Sequence, residues 1–178
     1  MNTDLERILL AYTLPGEPSR MRVAVWRRLR KLGAVYLNEG VWCLPNREHL
    51  VRAVRRIVAE VEHHGGAASA FLANGLQEDQ KGRLQARFNQ ARDEEYLEAR
   101  KQGERFLAHV ESATQVGTFA FTQVEELEQD LEKRERWLAQ IYERDVFGSP
   151  LRESVERLLQ ECKQAFIRFT EEAYERTK

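Results

Sequence analysis

Cysteine is scarce in this chain. Cys43 and Cys162 are the two it has, and neither sits in a metal-ligand spacing. That excludes a disulfide framework and points to packed thiols in a reducing compartment. No apolar run reaches the length needed to cross a bilayer, so no membrane partner is expected. The start, "MNTDLERILLAYTL", lacks the basic segment of a signal peptide. The expected location is cytoplasmic. There is no glycine-rich phosphate loop, serine elbow, Cys-x-x-Cys or His-Glu-x-x-His pattern, so the expectation is no enzyme, no cofactor and no metal. His63 and His64 are adjacent. On a helix they diverge by about 100° and do not chelate.

What is present is charge and helix formers. Hydrophobic residues make up 42% of the 178, charged residues 32%, and the net charge is −1. The charge is unevenly spread. Residues 1–66 carry 11 basic and 7 acidic side chains, and the stretch 17–56 carries 10 against 3. A near-neutral chain with one basic region suggests local anion binding.

Periodicity supplies the elements. "RILLAYTLP" (7–15) is short, apolar and closed by proline, and reads as a strand. Ser19 is placed to cap a helix running to Leu32 and Gly33, with Met21, Val25, Leu29 and Leu32 on one stripe. "AVYL" and "VWCL" flank Asn38-Glu39-Gly40, a three-residue hairpin loop with Gly40 in the left-handed position. Asn46 is expected to cap a second helix, whose stripe is Leu50, Val54, Ile57, Val58 and Val61. "ASAFLANGL" (68–76) is the fourth strand. The order predicts an α+β fold: a ferredoxin-like βαββαβ antiparallel sheet, followed by a long-helix C-terminal region. The expected division is 1–76 for the ferredoxin-like domain and 77–178 for helices packing on it.

None of the strands alternates cleanly, so both sheet faces should be covered. The helical remainder supplies the expected cover. It holds a long helix from Gln77 to about Ala113. A second follows, opened by a Thr122-x-x-Glu125 capping box. The last is started by Ser149 and Pro150 and is antiparallel to the second.

The candidate functional surface is basic. Arg20, Arg27, Arg30 and Lys31 on the first helix, with Arg52, Arg55 and Arg56 on the second, fall mostly off the apolar stripes, and Arg22 and Arg28 lie in the same basic run. If the two helices lie side by side, these residues can form a DNA- or oxyanion-binding surface. A solvated face covering apolar neighbours is the competing account. Trp26 and Trp42 each offer about 150–250 Å² for burial, worth on the order of 4–6 kcal/mol. Both are therefore expected in the core. Glu125, Glu126, Glu128, Asp130 and Glu132 complement the dipole of the helix they open.

The stretch "LLAYTLPGEPSRMRVAVWRRLRKLGAVYLNEGVWCLP" resembles the N-terminal domain of the bacterial chromate-resistance protein ChrB. "ARFNQARDEEYLE" and "YERDVFGSPLRE" are similar to it as well. More distantly, the first half is similar to the middle domain of PaaX-type repressors and to small CRISPR-associated subunits. The resemblance implies a transcriptional regulator acting at the promoter of a chromate-efflux operon, with promoter DNA or a chromate-like oxyanion as partner. It also implies a C-terminal chromate-resistance domain in longer relatives. Two alternatives accompany it. One is a degenerate metal-dependent nuclease-like domain, which "AYTLPGE" disfavours because no aspartate ends the first strand and Glu17 lies past the turn. The other is a non-catalytic dimerisation scaffold, a homodimer joined through its apolar strands.

Overall fold

The computed structural model describes residues 6–16, 19–117 and 119–176. In chain order the elements are β1 (Arg7–Thr13), α1 (Ser19–Lys31), β2 (Val35–Asn38), β3 (Val41–Pro45), α2 (Glu48–His63), β4 (Ala67–Ala73), α3 (Glu78–Val116), α4 (Phe121–Arg144) and α5 (Arg152–Arg176). The strands form one antiparallel sheet in the order β2-β3-β1-β4. This is the expected ferredoxin-like arrangement.

Alternate residues of β1 decide the faces. Ile8 and Leu10 are buried among Trp42, Leu44, Val25, Leu29, Val54 and Ile57, which is the core between the sheet and α1–α2. Burying these side chains stabilises the unit by about 1.5–3 kcal/mol each. Gly33 closes α1 at φ +80°, and the Ala34 N–H reaches back to the Leu29 carbonyl at 3.0 Å. That is the C-terminal cap which the glycine predicts.

Three local expectations change. The hairpin loop is Glu39-Gly40, because Asn38 already pairs with Val41 across a register shift. Asn46 does not cap α2. Its amide donates to Glu6 at 3.1 Å, and Arg47 occupies the N-cap without a side-chain bond. The Thr122–Glu125 box is absent too, since the N-cap of α4 is Ala120, two residues before Thr122, with no side-chain cap. The side chain of Ser19 and all of Glu17 lie outside the described residues.

The chain divides into two compact units, residues 1–87 and 88–178. The opening turns of α3 thus belong with the sheet. In the second unit Leu127 and Leu131 meet Cys162 and Phe169, while Leu138 and Ile141 meet Val155. α4 and α5 therefore run antiparallel. The Leu151 N–H donates to Ser149 Oγ at 3.1 Å just before α5, which fits the expected start signal. No helix among the described residues is long and apolar enough to cross a membrane.

The second sheet face is covered unevenly. Val35, Cys43 and Pro45 are buried there, but Ala67, Ser69 and Phe71 of β4 are exposed. The expectation of complete cover fails at β4.

Candidate nucleic-acid interface

Arg20, Arg22, Arg27, Arg28, Arg30, Lys31, Arg52, Arg55 and Arg56 are all exposed. Their directions follow from the helix step of about 100° per residue. Arg28 lies on the flank of α1 that faces α2, where it pairs with Glu60. Arg20, Arg27 and Lys31 occupy the outward ridge of α1. Arg52 and Arg56 occupy the ridge of α2, Arg52 being held by Glu48 one turn back. Arg55 is turned to the far flank of α2. Arg22 and Arg30 lie on the far flank of α1, one turn either side of Trp26. Among the described residues, Arg20, Arg22, Arg27, Arg30, Lys31, Arg55 and Arg56 form no ion pair. The surface is cationic along two adjoining ridges and spreads onto both outer flanks.

Trp26 corrects an expectation. Trp42 is 4% exposed and packs in the core, but Trp26 is 47% exposed. The Arg30 guanidinium sits 5.7 Å from the centre of its ring. A half-open indole between arginines presents a π-face beside positive charge, the combination that holds stacked bases and backbone phosphates. Its position one step off the apolar stripe was the signal for this. Ring area alone predicts full burial, but a position at the edge of the stripe leaves one face of the indole in solvent.

A second cationic feature escaped sequence reasoning. On the opposite sheet face, the end of β4 and the opening turns of α3 bound a cleft of about 840 Å³. Arg7, Leu9, Leu37, Lys81, Arg83 and Arg87 are among its lining residues, and no acid lines it among the described residues. Arg87 Nη1 donates to the Tyr36 and Leu37 carbonyls at 3.3 and 3.2 Å, and Arg83 pairs with Asp79 at 3.0 Å. Lys81, Arg83 and Arg87 follow at short spacing on α3. Arg7, by contrast, is distant in sequence, so only the fold shows that they meet. On the same face, burial pushes the Cys43 thiol up to about 12. That suits the small core hydrophobe expected of it.

The family profile described as "Protein ChrB, N-terminal" matches residues 22–178, most of the chain. The chain belongs to the ChrB N-terminal family. It is accordingly a chromate-resistance-associated protein. No curated protein sequence matches it. The ChrB match includes eight of the nine basic positions; Arg20 precedes it.

Two further ChrB-like stretches meet in the second unit. Tyr96, from "ARFNQARDEEYLE", is fully buried and donates to Asp145 of "YERDVFGSPLRE" at 3.0 Å. Asp145 also accepts the Ser149 N–H at 3.0 Å and the Gly148 N–H at 3.1 Å. Ser149 donates to Asp93, and Glu95 bridges Arg92 at 3.2 Å and Arg144 at 3.0 Å. Burial first, then the Asp145 bond, raise the Tyr96 phenol above its ordinary value. This network ties α3 to the α4–α5 turn.

Proposed function

We propose that the chain is a non-catalytic, DNA-binding regulatory module of chromate resistance, gripping duplex DNA with the outer faces of α1 and α2. The observation that carries this is the ridge of Arg20, Arg27, Lys31 and Arg56, with no acid paired to any of them among the described residues, beside an exposed Trp26. Phosphate contacts supply such binding and make it salt-dependent. With about four contacts, log affinity falls against log salt with a slope of about −3.6. Fluorescence anisotropy with a promoter duplex of a chromate-efflux operon, at two salt concentrations, tests it. The Arg27→Glu/Arg30→Glu variant should lose most of the affinity. Absence of binding at low salt, or binding unchanged in that variant, overturns the proposal.

The cleft favours a second reading, an oxyanion effector bound on the opposite face of the sheet. Four cations line it, and no acid does among the described residues. Equilibrium dialysis against chromate and sulfate tests this reading separately. Lys81→Glu/Arg83→Glu should abolish retention and leave DNA affinity at low salt unchanged. Retention equal in the variant and the parent chain would overturn it.

A further inference from the structure

The two edges of the sheet are treated differently by the sequence. β2 has four residues, a register shift between Tyr36 and Asn38, and Arg87 bonded to the carbonyls of Tyr36 and Leu37. Short length, irregularity and a covering cation are the usual protections of an edge. β4 has none of them. It pairs with β1 over seven residues without a shift, reads "AASAFLA" with no charge and no proline, and among the described residues has no strand on its outer side. Its exposed large side chains lie on both faces: Leu72, 58% exposed, on the α2 side, and Phe71, 62% exposed, on the other.

We propose that β4 is a homodimerisation edge, at which two copies of this chain pair antiparallel about a two-fold axis at Ala70 and join their sheets into one of eight strands. Three observations select a second copy as the occupant. First, the strand complements itself. Antiparallel pairing about Ala70 sets Leu72 against the partner's Ala68 and Phe71 against the partner's Ser69, large against small. The two phenylalanines are then diagonal neighbours within reach of each other. Second, no charge opposes another along the pairing.

Third, α2 lies over β4 and β1, so the pairing brings the two α2 helices side by side and antiparallel. The far flank of α2 carries both Arg55 and Glu62, two turns apart and exposed. The axis at Ala70 passes near the middle of α2, because helix and strand run back from the same turn. Arg55 then faces the partner's Glu62, and the reverse holds by symmetry. A strand edge with these flanks buries less than the ~800 Å² per partner of a standard interface, so the dimer is a weak, concentration-dependent one.

Sedimentation velocity of the full chain without DNA, over a micromolar concentration series, should show a reversible monomer–dimer equilibrium. Ser69→Lys/Phe71→Lys should remain monomeric while keeping the parent circular dichroism spectrum. So should Ser69→Glu/Phe71→Glu. Mixing the two should restore dimers, because residue 69 of each meets residue 71 of the other. Cross-linking fixes the register even if a charged variant fails to fold. Ala70→Cys should form a disulfide-linked dimer on mild oxidation, its paired Cα atoms falling in the ~4.4–6.8 Å bonding range. Ala67→Cys should not, since it lies about 20 Å from its own copy. A monomer at every concentration with Ala70→Cys unlinked overturns the proposal and leaves the edge to a strand of a different protein. Equal linking at both positions also overturns it.

Discussion

Single residues with no alternative conformation or partner are where substitution is most informative. Gly40 sits at φ +78°, and a Cβ there would lie 2.7 Å from the Tyr12 carbonyl oxygen. Gly40→Ala therefore adds left-handed strain and a backbone clash. The expected cost is about 1–3 kcal/mol, read as a lower urea midpoint with unchanged slope. Asp145 is the corresponding polar case. It accepts bonds from Tyr96 and two backbone N–H groups in a buried turn. Asp145→Ala strands those donors, and about 3 kcal/mol of stability should be lost, with Asp145→Asn intermediate. A variant as stable as the parent chain would show that the turn is held by packing alone.

At the scale of elements, the two tryptophans separate structure from function. Trp42 is enclosed between β3 and the helices, so Trp42→Ala should cost about 3–5 kcal/mol. Trp26 stands half in solvent on α1, so Trp26→Ala should change the thermal midpoint little. Its effect should fall on DNA, where loss of a stacking face weakens binding by about 1–3 kcal/mol. Equal destabilisation by both would return Trp26 to a packing role. The same contrast explains what was legible in the sequence. Strands, helices and the glycine cap were legible because apolar period and left-handed turns are local properties. The caps at Asn46 and Thr122 were not, because Asn46 found a partner in Glu6 and α4 started two residues early. The outward placement of Arg20, Arg27, Arg30, Lys31, Arg52, Arg55 and Arg56 was legible from local period too, since they fall off the apolar stripes. The pairing of Arg28 with Glu60, and the convergence of Arg7 and the α3 cations on one cleft, were not, since both depend on residues brought together by the fold.

Across the whole molecule, the perturbed titrations point one way. Burial raises Tyr12, Tyr142 and Tyr96, pushes Cys43 up to about 12, and pushes Cys162 up to about 11. Each group is an acid whose neutral form is favoured by folding. Its contribution is complete below the unfolded-state value and is lost as pH rises towards the folded-state value. Neutral pH lies below all these values, so stability should be flat there. It should fall above about pH 9, where unfolded thiols begin to ionise ahead of folded ones. Urea titrations at pH 7 and pH 10 check the direction, and equal midpoints would contradict it. Thiol labelling gives an independent reading of the same physics. Cys43 and Cys162 are free and buried, one in each compact unit, and thiol reactivity requires an accessible thiolate. In native protein at pH 8 neither should react with a bulky disulfide reagent, while both should in urea. The urea concentration at which each label appears then reports the stability of its own unit: coincident curves mean one cooperative molecule, and separated curves mean that the sheet unit and the helical unit open independently.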